Sequence, residues 1–149
     1  MKLKKMKADK QTEAEIKEVL DKMSEDYKKG NIDEVLTLFA PDPDVVLIGS
    51  GTDEKRIGLD EIRTQVERDI AQTESRSMEH RIISISSAGS ISWCATESIV
   101  HATVSGQEIT FDGRSTVVLE KRGDKWLIVQ MHFSTPLSGQ AEGESWPTN

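Results

Sequence analysis

Gly113-Arg114-Ser115-Thr116 opens, and Lys125-Trp126-Leu127-Ile128-Val129-Gln130-Met131-His132-Phe133-Ser134 closes, the segment from Thr110 to Ser134 whose reading decides the fold. Strict alternation puts Trp126, Ile128, Gln130, His132 and Ser134 on one face of the closing strand. Leu127, Val129, Met131 and Phe133 fall on the other. Apolar groups on both faces require both to be covered. A helical layer over a cavity can cover one face, and a second subunit the other.

The strands before this pair share its pattern. His80 to Ser87, Ile91 to Val104, Glu108 to Lys121 and Trp126 to Ser134 alternate with period two. They are separated by Ala88-Gly89-Ser90, Ser105-Gly106-Gln107 and Arg122-Gly123-Asp124, turn chemistry that predicts an antiparallel meander. The first half of the chain is helical instead. Ile16, Val19, Leu20, Met23 and Tyr27 form one stripe of a helix from Thr12 to about Lys29, with a Thr12/Glu15 capping box and a Gly30 stop. A second short helix is capped by Asn31 and buries Ile32, Val35, Leu36 and Phe39. Val45 to Ile48 is a short strand, Gly49 to Asp53 a turn, and Lys55 to Ile57 a return strand. Leu59, Ile62, Val66 and Ile70 mark a third helix. Helices first and a meander afterwards predict an α+β domain with the helices on one sheet face.

A chain of 149 residues has the size of one domain with one core. Its formal net charge of −7 argues against a nucleic-acid-binding surface. Lys2, Lys4, Lys5, Lys7 and Lys10 make residues 1–11 a basic, disordered arm rather than a signal peptide, and no run reaches transmembrane length. Residues 12–136 hold the domain. Residues 137–149 read as a flexible tail in which Trp146 is the one large aromatic. The single cysteine, Cys94, cannot form an internal disulfide, so a cytoplasmic setting is the simplest expectation, with Cys94 as a buried structural thiol.

Three motifs in this order resemble the SnoaL-like branch of the nuclear-transport-factor-2-like superfamily, which includes the association domain of calcium/calmodulin-dependent kinase II. They are Tyr27-Lys28-Lys29-Gly30-Asn31-Ile32-Asp33, Ile48-Gly49-Ser50-Gly51-Thr52-Asp53-Glu54 with Gly58 after it, and Gly123-Asp124-Lys125-Trp126 through His132-Phe133-Ser134. The resemblance implies a cone: a curved antiparallel sheet wrapped around three N-terminal helices, enclosing a pocket. It also implies homodimers through the outer sheet face, with Trp93, Arg114, Thr116, Trp126 and His132 as interface residues. The ligand-binding residues it implies are Ser98, Val117, Met131 and Phe133, and Tyr27 is a further ligand-binding candidate although it sits too near Gly30 to match the helical tyrosine of the isomerases. The kinase domain's pocket arginines match apolar or small residues here, so the implied ligand is a small, mostly apolar organic molecule. Fold alone does not select among isomerase, cyclase, dehydratase and non-catalytic association module.

The chemistry is less legible. The first strand offers only Val45 to Ile48 where an enolising isomerase of the ketosteroid type would carry its carboxylate base. His132, Glu97 and Arg114 are the remaining polar set: His132 a candidate general base, Glu97 its orienting carboxylate and Arg114 an anion holder. The competing expectation is structural, with Glu97 paired to Arg114 and His132 and Ser134 completing the hydrogen bonds. His80, His101 and His132 lie on different strands without ligand spacing, so neither a metal nor another cofactor is expected. Gly49-Ser50-Gly51 lacks the Lys-Ser/Thr of a phosphate loop and reads as a turn, with Asp53 and Glu54 at its mouth.

Overall fold

The computed structural model describes residues 6–148. Over those residues the chain forms three helices and six strands: α1 (Lys10–Lys29), α2 (Ile32–Leu36), β1 (Val46–Ile48), β2 (Lys55–Ile57), α3 (Leu59–Ala71), β3 (Ser75–Ala88), β4 (Ile91–Val104), β5 (Gln107–Arg122) and β6 (Lys125–Ser134). The strands make one curved, unclosed sheet in the order β2-β1-β6-β5-β4-β3. β1 runs parallel to β6, and all other pairs are antiparallel. This is the expected α+β cone. β3 begins at Ser75, before the visible alternation, because its first residues pair with the far end of β4, Ser75 opposite Thr103.

Helix α1 starts earlier than the Thr12/Glu15 box predicts. Asp9 caps it, its Oδ1 accepting the Thr12 backbone N–H at 2.7 Å. Glu15 is thereby free for another task, accepting the Trp126 indole N–H at 2.6 Å and facing Lys121 Nζ at 3.3 Å. Gly30 ends the helix at φ 75°, a left-handed conformation that a side chain would strain. Ile16 and Leu20 of α1, Val35 and Leu36 of α2, and Ile62 and Val66 of α3 pack on Ile85, Cys94, Val117, Leu119 and Ile128 of the sheet. Burial in this layer pushes the Cys94 thiol up to about 11, as suits an inert structural cysteine.

One irregularity corrects the assignment of faces. Val118 pairs with Gln130 but Leu119 pairs with Ile128, so Val129 is an extra residue in β6, a β-bulge. Alternation restarts there, one residue out of step. Trp126 and Ile128 therefore share the inner face with Met131 and Phe133, while Gln130 and His132 point outward. Trp126, expected at the outer interface, is instead buried at 7% exposure within the core cluster, tied to α1 through Glu15.

The N-terminal end of the described chain also differs from expectation. Residues 1–5 of the expected arm lie outside the described residues. From Met6 onward the arm is not free: Met6 O accepts from Ser87 N at 2.8 Å, Ala8 N donates to Ile85 O at 3.1 Å, and Ala8 is buried. This short pairing covers part of the open edge of β3. Beyond β6 the chain carries only turns, held by local bonds such as Gln140 Nε2 to Glu144 O, with Trp146 exposed.

Candidate functional site

A cavity of about 280 Å³ lies between α1, α3 and the inner sheet face. Its walls are mostly apolar: Met23 from α1, Val66 from α3, Leu47 from β1, Val100 from β4, Phe111 from β5, and Met131 and Phe133 from β6. Ser24, Tyr27, Ser50, Glu54 and Asp69 supply the polar part of the lining.

That polar end is a connected network. Tyr27 Oη donates to Asp69 Oδ2 at 3.1 Å, and Gln65 Nε2 donates to Asp69 Oδ1 at 2.7 Å and to Glu54 Oε1 at 3.2 Å. Gln65 and Asp69 stand one turn apart on α3 and so project from the same face. Arg56 Nε and Arg68 Nη2 each donate to Gln65 Oε1 at 3.1 Å, which fixes the amide's orientation. Arg68 also forks onto Asp53 at 2.6 and 3.2 Å, holding that carboxyl below its usual range. Glu54 folds back over its turn, accepting Gly51 N–H at 2.8 Å.

Electrostatics single out Asp69. Burial raises its pKa above the ordinary carboxylate value, opposed by the bonds from Gln65 and Tyr27, while Glu54 adds to the rise. Burial likewise raises the Tyr27 phenol, with the Asp69 charge as the next cause. Tyr27 thus stays a neutral donor, and Asp69 is a carboxyl group whose proton is held more tightly than usual. A neutral polar group on a ligand can exchange hydrogen bonds with both.

Of the residues expected to bind ligand, Tyr27, Met131 and Phe133 line the cavity. Val117 is on the same face but buried at 1% exposure in the core behind it. Ser98 is also inward, its Oγ buried and without a hydrogen-bond partner. A Cβ at Gly113 would collide with the Phe133 ring and come to 3.0 Å from Ser98 Oγ, so Gly113 is the space that lets Phe133 lie against the wall.

The polar set His132, Glu97 and Arg114 is elsewhere. All three are exposed, and the register places them on the outer face, away from the cavity. Glu97 and Arg114 are direct cross-strand neighbours, yet Glu97 pairs with Arg81 on β3, and Arg114 Nε donates to Ser134 Oγ at 3.2 Å. The expected Glu97–Arg114 pair is therefore replaced, because Arg81 is Glu97's partner across the other ladder. Trp93, Arg114, Thr116 and His132 do share the outer face, as an interface would require.

Sequence reading missed Asp69 and Gln65. The signal was available: Asp69 follows Ile62 by seven and Val66 by three residues, so a carboxylate occupies the apolar stripe of α3. Among the described residues, no group of three His, Cys, Asp or Glu side chains is arranged to hold a metal ion. None of the helices is long and apolar enough to cross a membrane.

Comparison with known proteins agrees with this architecture. No curated protein matches the chain significantly. A nuclear transport factor 2-like superfamily protein from Salmonella enterica superposes with a TM-score of 0.81 at 20% identity, covering 93% of this chain and 100% of its own. A candidate scytalone dehydratase from Novosphingobium aromaticivorans gives 0.75 at 12% identity, covering 85% of each chain. A candidate calcium/calmodulin-dependent protein kinase II association domain from Xanthomonas campestris gives 0.70 at 22% identity, covering 93% of this chain and 99% of its own. At these identities the likeness shows the fold. The family profile of the SnoaL-like domain matches residues 16–138, most of the chain and all of the cone's sheet and helical stripe, and the chain belongs to that family.

Proposed function

We propose that the chain binds a small, mostly apolar organic molecule carrying one hydroxyl or carbonyl group, with its body against Met131, Phe133 and Val66 and its polar group at Tyr27 and Asp69. The observation that carries this reading is the cavity of about 280 Å³ whose apolar walls converge on the hydrogen-bonded Tyr27–Asp69 pair. Sites of this kind use apolar surface for affinity and a few placed polar groups for orientation. Nile red, a neutral dye, tests it by fluorescence titration of the full chain. Saturable binding at one site is expected, with Met131→Trp filling the cavity and abolishing it. Tyr27→Phe and Asp69→Asn are expected to weaken binding of the dye, which itself carries a ring carbonyl, and of a competing phenol or cyclic ketone. Absence of saturable dye binding to the wild-type chain would sink the reading.

We also propose a homodimer through the outer face, because Ile99 is 40% exposed there and the partly covered Trp93 lies further along the same strand face. Sedimentation at tens of micromolar tests this. A dimer that Ile99→Asp converts to monomer supports it, and a wild-type monomer counts against it.

A further inference from the structure

We propose that Asp21, His80 and Ser24 form a proton relay that makes the Ser24 hydroxyl a nucleophile toward an ester-bearing small molecule in the cavity. This rests on the cavity admitting such a molecule. Ser24 Oγ lies 3.1 Å from His80 Nδ1, and His80 Nε2 lies 3.0 Å from Asp21 Oδ1. Two elements create the arrangement. Asp21 and Ser24 are three residues apart on α1 and so share a face, while His80 stands opposite buried Ser98 in the β3–β4 ladder and so points inward toward that helix.

The chemistry follows from the inventory of donors and acceptors. The Asp21 carboxylate stands 3.0 Å from Nε2, so its charge favours the ring proton on that nitrogen, which leaves Nδ1 as the acceptor aimed at the serine O–H. A serine inside a helix commonly bonds back to a carbonyl of the preceding turn. The Ser24 hydroxyl bonds to His80 instead. Ser24 also borders two spaces, the apolar cavity and an open groove lined by Lys17, Asp21, Met78 and His80, so substrate and water can reach it from different sides.

In the proposed step, Ser24 Oγ bonds to the ester carbonyl carbon as its proton passes to His80 Nδ1, and Asp21 stabilises the imidazolium. The C–O bond to the alcohol then breaks, and the alcohol leaves with that proton. Water entering from the groove gives a proton to His80 as its oxygen bonds to the acyl carbon; the bond to Ser24 Oγ then breaks as His80 returns that proton to Oγ, releasing the acid and restoring Ser24. The backbone amides around Ser24 are committed to the helix, so acceleration comes from the relay, and activated esters are the expected substrates.

The experiment treats the full chain with p-nitrophenyl butyrate and with a fluorophosphonate probe, reading p-nitrophenol release and mapping adducts by mass spectrometry. One adduct on Ser24 is expected, absent from Ser24→Ala, with acylation retained by Ser24→Cys. His80→Gln is expected to slow acylation by roughly 100-fold or more, the scale of general-base assistance. Asp21 is a positioning residue, and Asp21→Asn is expected to slow acylation about tenfold with Nile red affinity unchanged, a split that simple loss of structure would not produce. Saturable Nile red binding without a Ser24 adduct, or wild-type acylation by His80→Gln, overturns the relay and leaves the cavity reading standing. Absence of dye binding overturns the cavity reading and the relay with it.

Discussion

The inner and outer faces of β4, β5 and β6 come from the same alternating segments, yet they hold polar groups on opposite terms. On the outer face Glu97, Arg114 and His132 are solvated, and their contacts are those of surface side chains. On the inner face Ser98 is buried with an unpartnered hydroxyl, and Asp69, facing that side from α3, has its proton affinity raised by burial. Polarity alone does not mark a site. A polar group becomes chemically informative where water is excluded, because its hydrogen bonds and proton affinity are then set by the protein.

The sharpest way to break this contrast is to delete Val129. Removing the bulge residue would turn Trp126 and Ile128 outward relative to Met131 and Phe133, since a one-residue slip moves every side chain to the opposite face. No cooperative unfolding transition is expected, as read by circular dichroism during urea titration. A smaller effect is expected from Ile128→Ala, which removes a fully buried side chain and costs about 2–5 kcal/mol in the same titration. Its outer-face counterpart Arg114→Ala, made on the Ile99→Asp monomer, is expected to stay within about 0.5 kcal/mol of that monomer. A larger loss from Arg114→Ala in the wild-type dimer is expected if Arg114 sits within the proposed interface, and an equally small effect in both forms would place it outside.

Ser98→Ala tests the opposite sign. Removing a buried, unpartnered hydroxyl is expected to stabilise the chain by about 1–3 kcal/mol, checked by denaturation midpoint. The smallest expected effect is on pH dependence. The Glu15 carboxyl is held below its ordinary value of 4.5, first by the Trp126 indole and then by other hydrogen bonds. Its contribution is therefore present above about 4.5 and is lost as pH falls through the lower folded value. Asp69 works the other way: its raised value favours the fold at low pH, and that contribution is lost as pH rises above 3.8 through the folded value. Thermal melts from well below pH 4.5 up to neutral pH are expected to show a shallower acid limb for Trp126→Phe and a gain at neutral pH for Asp69→Asn.

Much of the cone could be read from local pattern. The α1 stripe of Ile16 and Leu20 is buried as its spacing predicts, and the four meander strands turn where Gly89, Gly106 and Gly123 stand. The candidate site was less legible. Met131 and Phe133 were found through resemblance and Tyr27 was a candidate beside them, but Asp69, Gln65 and Ser24 come from α3 and α1 and meet the sheet residues only after packing. Asp9 rather than Thr12 holds the cap because its backbone is extended, at φ −70° and ψ 168°, with its carboxylate on the Thr12 amide three residues ahead.

Element type, order and burial stripes were determined by the sequence itself, because each depends on spacing within a few residues and on the backbone preferences of Gly, Pro and β-branched side chains. The tertiary structure alone decided which face is which beyond Val129 and which polar residues share a buried site. A bulge leaves the composition of a strand unchanged while inverting its side chains. The network joining Tyr27, Asp69, Gln65 and Glu54, like the Asp21–His80–Ser24 chain, unites residues far apart in sequence. Their distances are set by how α1 and α3 pack into the curved sheet, and no local pattern encodes them.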